Sequence, residues 1–228
     1  MRATPVLCID GFSIDPGHLV DLATTATFID PGSVYPGVRA PAPAGYVESM
    51  LAAVAPDIEA AYGATPDRDL ELCAYSMVTT APGKLRAVQR IPHFDGPDVA
   101  RIAFLHYLCA PSQGGTSFYR HRATGFEVVA PDQVEDYRKL VVAEMRSGVS
   151  APDYVGADTR HFEKIHTVDA AFNRLIVYKG NALHSGDIGL GTVLSEDPRL
   201  GRLTINGFGF LRCQFAGRGP VDSRHTIR

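Results

Sequence analysis

No basic block, no acidic tail, no C-x-x-C pair and no apolar run of membrane-spanning length occurs in this chain of 228 residues. Each absence removes a class of protein. Charges of both signs are scattered at a net charge of −3, which argues against nucleic acid and against a strongly basic partner. The four cysteines, Cys8, Cys73, Cys109 and Cys213, are far apart. Buried thiols in a reducing cytosol fit that spacing better than disulfides or zinc. No apolar segment follows basic residues near the N-terminus, and no run reaches the length of a membrane helix, so a soluble cytoplasmic protein without a membrane partner is expected.

What is present describes a chain with a full core: 45% hydrophobic residues and a mean hydropathy of −0.02. Pro5 to Asp10 reads as a short strand, and Asp15 can cap a helix that starts at Pro16 and runs to about Thr25. Asp30 to Pro43 is rich in proline and glycine and reads as a loop over the surface or a pocket mouth. Val47, Met50, Leu51, Val54 and Ile58 then recur at helical spacing. From Leu70 the texture becomes β. Strands are expected at 71–80, 86–91, 101–109, 115–121, 162–168, 174–178, 182–184 and 202–211, with one helix at about 132–147. The expectation is a single domain over 1–228: a mostly helical N-terminal cover over 1–69 and a jelly-roll core over 70–212. The fold class is mainly β, a double-stranded β-helix with N-terminal helices packed on one sheet.

The most informative stretch is Arg90-Ile91-Pro92-His93-Phe94-Asp95-Gly96. On an extended chain, positions i and i+2 point the same way, so His93 and Asp95 can reach one point. Such a pair, joined by a distant histidine, forms the 2-His-1-carboxylate face that holds non-haem Fe(II) and leaves coordination positions open. His161-Phe162-Glu163 has the same spacing but no arginine motif after it and reads as structural. His184, after the Gly180-Asn181 turn, is the best third ligand; His106, in mid-strand, is its rival. Arg202-Leu203-Thr204 then places a guanidinium and a hydroxyl on one face of the last long strand, a pair suited to a buried carboxylate.

His93-x-Asp95, His184 and Arg202-x-Thr204, in that order on a β-rich chain, resemble the iron(II)/2-oxoglutarate-dependent oxygenases, on their prolyl-4-hydroxylase and phytanoyl-hydroxylase side. The likeness covers roughly residues 70 to 212, and within it the string from Leu105 to Glu127 looks like that of an uncharacterised bacterial branch. The resemblance implies that His93, Asp95 and His184 bind Fe(II) and carry the catalysis. It implies that Arg202 grips the far carboxylate of 2-oxoglutarate, with Thr204 beside it. It implies a reaction with O2 that releases succinate and CO2 while oxidising a C–H bond of a small-molecule or peptidyl substrate. In related halogenases a small residue stands where this chain has Asp95, so hydroxylation is expected rather than halogenation. The family's arginine usually follows its distal histidine more closely; here the loop from Gly186 to Arg199 intervenes, and Arg199 competes with Arg202.

Weaker candidates complete the reading. Tyr75 and Tyr107 could line the co-substrate pocket, and Tyr119, Arg120 and His121 could grip an anionic substrate. Gly114-Gly115 reads as a tight turn rather than a phosphate loop, since no Lys-Ser/Thr follows in the required spacing. Asp30–Pro43 and Ala151–His161 are the lid candidates. The alternative function is a non-catalytic or cupin-like jelly roll that binds a small molecule, although the chain lacks the His-x-His that cupins usually offer.

Overall fold

The structure, a computed structural model, describes residues 5–32, 34–147, 153–189 and 191–212. Two antiparallel sheets and three α-helices account for most of them. The strands are β1 (Leu7–Ile9), β2 (Gly37–Pro41), β3 (Thr65–Pro66), β4 (Leu72–Val78), β5 (Arg101–Tyr107), β6 (Gly115–His121), β7 (Phe162–Val168), β8 (Arg174–Lys179), β9 (His184–Asp187) and β10 (Leu203–Arg212). The larger sheet runs β1-β8-β5-β10-β4-β2, with β3 added beside β10, and the smaller runs β7-β6-β9.

The helices form where the sequence places them. In α1 (Pro16–Thr25) the Asp15 side chain accepts from the His18 amide at 2.9 Å, and proline occupies the first turn, where its missing donor is harmless. α2 (Tyr46–Tyr62) lies between two glycines with positive φ, Gly45 and Gly63, a backbone state that suits glycine. Its Met50, Val54 and Ile58 pack with Leu19 and Ala23 of α1 onto the outer face of the larger sheet. α3 (Val134–Arg146) lays Tyr137 and Val141 over Tyr119 and Phe162 on the outer face of the smaller sheet.

Strand alternation then divides the larger sheet into two faces. Tyr75 and Met77 of β4, Phe104 of β5, Leu175 and Val177 of β8, and Leu203 and Ile205 of β10 face the helices. Ala103, Leu105 and Tyr107 of β5, with Ile176 and Tyr178 of β8, face inward and meet Phe118 and Val168 of the smaller sheet. The polar residues of β4 and β10, Ser76 and Thr204, share that inner face and stand opposite each other in register.

Three expectations need correction. Residues 86–91 are not a strand: two 3-10 turns, at Pro82–Lys84 and Ala87–Arg90, occupy the region. The Gln89 side chain accepts from the Arg86 amide at 2.7 Å, and the Arg90 guanidinium donates to the Leu85 carbonyl at 2.8 Å. Local bonds therefore take the place of a sheet partner. The proline- and glycine-rich segment is not wholly a loop, because β2 lies within it and pairs with β4. Finally, of the cysteines only Cys109 is buried; Cys73 is partly buried, Cys8 is exposed, and Cys213 lies outside the described residues. Among the described residues no helix is long and apolar enough to cross a membrane.

Candidate metal centre

His93 follows Pro92 into a single antiparallel bridge. Its amide donates to the His184 carbonyl at 2.9 Å, and the His184 amide returns the bond at 2.8 Å. This exchange places two residues 91 positions apart side by side at the start of β9. The Asp95 amide donates to Gly180 at 2.7 Å, so the turn before β9 also fixes the carboxylate. Candidate ligand atoms of His93, Asp95 and His184 all lie within 4.8 Å of one another, and no other group of this kind occurs among the described residues.

Several features prepare these groups for a cation. His184 Nδ1 lies 2.9 Å from the Ala182 carbonyl, and as the donor there it leaves Nε2 as the lone-pair nitrogen. Nε2 is 3.7 Å from Asp95 Oδ2, and His93 Nε2 is 4.0 Å from Oδ1. Both separations exceed a hydrogen bond. Asp95 Oδ2 is buried with no hydrogen-bond partner. Burial pushes the Asp95 pKa up to about 6, against the pull of His93, Arg101 and Arg39. Burial lowers the His184 pKa to about 4. Desolvation and the neighbouring His184 lower the His93 pKa as well, although half of its side chain still reaches solvent. Two neutral imidazoles and an uncompensated carboxylate are the protonation states that metal binding requires. The Tyr178 ring, 4.8 Å from the His184 ring, packs it in place.

These three residues line a cavity of about 360 Å³ that also contains Arg202. The Arg202 residue is only 3% exposed. Nη2 donates to the Gly115 carbonyl at 2.9 Å, the guanidinium carbon sits 5.5 Å from the Tyr107 ring centre, and Nε is buried without a partner. No carboxylate among the described residues reaches it as an ion pair. Gly186 separates it from His184: a Cβ there would stand 4.0 Å from Arg202 Nη2, so the glycine leaves the space between them clear.

The other sequence candidates scatter. Arg199 is exposed and pairs with Asp21 at 2.8 Å, so Arg202 is the arginine that faces the cavity. Thr204 is fully buried on the inner face, bonded to Asn206 Oδ1 at 2.8 Å. Tyr107 backs Arg202, and its hydroxyl lies 2.7 Å from Thr116 Oγ1. Tyr75 is a correction: it faces the helices, and its hydroxyl donates to the Leu19 carbonyl at 2.6 Å.

The trio Tyr119, Arg120 and His121 also lies away from the metal cluster. Tyr119 donates to the Val155 carbonyl at 3.2 Å. Arg120 pairs with Glu127 and Glu163, and buried His121 pairs with Glu144. Tyr119 and Arg120 line a separate cavity of about 420 Å³. That cavity is the larger, but it contains none of the three candidate ligands, so it does not displace the first as the candidate centre. His106 bonds Tyr46 at 2.9 Å and Asn173 at 3.0 Å on the helix side, and His161 pairs with Glu144 at 3.3 Å. A Cβ at Gly114 would run into the Asp187 carbonyl and one at Gly115 into that of Val168, as a tight turn requires. Residues 151 and 152 of the second lid candidate lie outside the described residues, but Tyr154 lines the metal cavity and donates to the Thr80 carbonyl at 2.7 Å.

The sequence reading missed Tyr35 and Arg39, which also line this cavity. The signal for Arg39 was available: between Val38 and Ala40, the period-2 rule turns a lone charged residue away from the apolar face.

Fold and site together define a two-sheet, helix-covered β protein with a buried His/Asp cluster that could hold a metal ion. The chain belongs to a family of unknown function, DUF6445, whose model matches residues 1–209. No curated protein matches it.

Proposed function

We propose that this protein is a non-haem Fe(II)- and 2-oxoglutarate-dependent oxygenase on a double-stranded β-helix, hydroxylating a C–H bond of a small molecule or peptidyl side chain. One observation carries the reading. A cluster of two histidines and one aspartate shares a single cavity with a buried arginine that has no acidic partner among the described residues. A buried guanidinium without a carboxylate is costly unless a ligand supplies one. 2-Oxoglutarate has a carboxylate at each end and fits both halves of the cavity.

The roles follow from the residues. His93, Asp95 and His184 would hold Fe(II) on one face and leave its remaining positions to co-substrate and oxygen. The Ala182 carbonyl keeps His184 in the ligating tautomer. Arg202, held by Gly115 and backed by Tyr107, would take the distal carboxylate through charge-assisted hydrogen bonds. Tyr178 and Phe118 exclude water from one side of the cluster. The bound iron supplies the oxygen activation, coupled to decarboxylation of 2-oxoglutarate to succinate and CO2, that the side chains cannot supply themselves.

The test is anaerobic titration of the purified protein with Fe(II) and 2-oxoglutarate. A weak visible charge-transfer band is expected in the wild type and should be lost in His184→Ala. If the wild type gives no band, the oxygenase reading fails.

A further inference from the structure

Arg39 is a second guanidinium in the cavity that the metal cluster and Arg202 do not explain. It projects from β2 on the inner face, opposite Ser76 in register. Ser76 in turn stands opposite Thr204 of β10. Two strand spacings therefore separate the Arg39 backbone from β10, about 10 Å. Arg39 is partly buried, its Nε has no hydrogen-bond partner, and no carboxylate among the described residues reaches it as an ion pair. The guanidinium carbon lies over the Tyr35 ring, 4.3 Å from its centre, a contact with the ring face that uses none of the N–H donors a ligand would need.

The charges lining the cavity sharpen the point. Among the described residues that line it, the carboxylate and guanidinium groups are those of Arg39, Asp95 and Arg202. On the reading proposed above, Fe(II) and the 2-oxoglutarate dianion cancel, and Asp95, which attracts Arg39, offsets one of the two guanidinium charges. The cavity is then left with one net positive charge, and the outer guanidinium, Arg39, is the one that the co-substrate does not take. Position separates the two arginines further. Arg202 is at the buried end, beyond Gly186, whereas Arg39 lies near the exposed residues Val34 and Val88 at the mouth. The deep cation suits the co-substrate and the outer one suits the molecule that enters after it.

We infer that Arg39, clamped by Tyr35, is a substrate-recognition residue, and that the substrate carries a carboxylate on a compact apolar body. A single guanidinium balances one negative charge and matches a carboxylate in bidentate geometry. A phosphate dianion would leave excess charge in the pocket. Val34, Pro36, Val88, Phe94 and Ile188 supply the apolar contacts. The cavity of about 360 Å³ is at the small end for ligand sites, so with 2-oxoglutarate in place only a compact portion of the substrate is enclosed. This inference rests on the oxygenase reading for its charge balance, and its test separates the two.

The test measures hexanoate binding by calorimetry, anaerobically, to full-length protein saturated with Fe(II) and 2-oxoglutarate. Hexanamide is the uncharged analogue. Wild type should prefer hexanoate at least about tenfold, the level of one charge-assisted contact. Arg39→Gln should lose that preference while keeping the visible Fe(II)–2-oxoglutarate band, and Arg39→Lys should keep part of the preference. Arg39→Met gives the same readout if the glutamine variant does not fold. If the band is absent but metal-free wild type still prefers hexanoate through Arg39, the oxygenase reading fails and the anion subsite stands. The inference is overturned if wild type does not bind hexanoate, if Arg39→Gln binds it equally well, or if Arg39→Gln abolishes the band. Tighter binding of hexyl phosphate than of hexanoate would overturn the carboxylate assignment.

Discussion

Replacing Arg202 with methionine should have opposite effects on co-substrate binding and on the stability of the metal-free protein. The side chain is almost fully buried, makes one hydrogen bond to Gly115 and leaves Nε unpaired. Removing it forfeits that bond, about 1 kcal/mol, but also relieves a buried charge without a carboxylate, a relief of several kcal/mol when an apolar residue fills the space. Metal-free Arg202→Met should therefore be as stable as wild type or more so. Binding of 2-oxoglutarate should weaken by about 2–4 kcal/mol, the usual loss when one member of a buried charge pair is truncated, or roughly 30- to 1,000-fold in dissociation constant. The assays are urea unfolding without ligand, and a thermal shift with Fe(II) and 2-oxoglutarate. At a hundredfold excess over its dissociation constant, the co-substrate should add about 2.7 kcal/mol of stability to wild type and little to the variant. Arg199→Ala is the control: its pair with Asp21 is more than half exposed on both sides, and such pairs contribute about 0–1 kcal/mol. The reasoning is refuted if Arg202→Met loses several kcal/mol of metal-free stability while 2-oxoglutarate binding persists, because Arg202 would then be a structural residue.

Gly186→Ala should fold and bind co-substrate, since its Cβ would meet Ile188 Cδ1 at 3.5 Å, an ordinary contact; Gly186→Leu should fill the passage to Arg202 and lose 2-oxoglutarate while retaining Fe(II), as followed by calorimetry. His106, buried and neutral with its pKa pushed down to about 4, binds a proton in the unfolded chain first. Its contribution to stability is thus present above pH 6.5 and lost as pH falls toward 4, on the order of 3 kcal/mol, and metal-free His106→Gln should show a flatter urea midpoint across that window than wild type. Glu144 accepts from His121 at 3.0 Å and lies 3.3 Å from His161. Glu144→Ala should lower stability by about 2–3 kcal/mol in urea unfolding with Fe(II) affinity unchanged, and a loss of metal binding would show that α3 supports the centre.

The site was legible where chemistry sits on short spacings. His93 and Asp95, two residues apart, do come together, and Arg202 lines the same cavity, whereas Thr204 is not among its lining residues and turns its hydroxyl to Asn206. The proximity of His184 to the first pair depends on a long-range backbone exchange between His93 and His184, for which the letters gave only the Gly180-Asn181 turn as a sign. Errors cluster where both faces of a strand are buried. Residues 74–78 of β4 are all buried, so hydrophobicity does not alternate and cannot say which parity faces the cavity. Tyr75 was read as a pocket residue, whereas it is the parity of Ser76 that faces inward. Tyr119 and His121 lie on the parity of β6 that α3 covers, which makes that face a second core away from the His/Asp cluster. The strand expected at 86–91 failed because local side-chain bonds outcompete a ladder there. The Val38-Arg39-Ala40 alternation was overlooked because proline and glycine on both sides mark a loop, and β2 is seen as a strand only in its pairing with β4.

The placement of the two arginines also fits their proposed tasks. β10 lies between β5 and β4, hydrogen-bonded on both sides. Just before it, Arg202 is fixed by Gly115 across the sandwich. Arg202 adjoins the start of both ladders and is tied to Gly115 as well, so its position is held from two sides, as the proposed grip on a co-substrate would need. β2 ends its sheet: one flank pairs with β4 and the other meets only the Ile29 bridge to Arg39. Residues there can shift at a lower free energy. On the proposed reading, a recognition group on the edge strand can adjust to what enters without breaking the backbone bonds of the His/Asp cluster, which run through His93, His184 and Gly180. If Arg39 recognises a substrate as inferred, preference can change through residues 34–39 while the histidines, Asp95 and Arg202 stay fixed, because the two sets share a cavity but no backbone hydrogen bond.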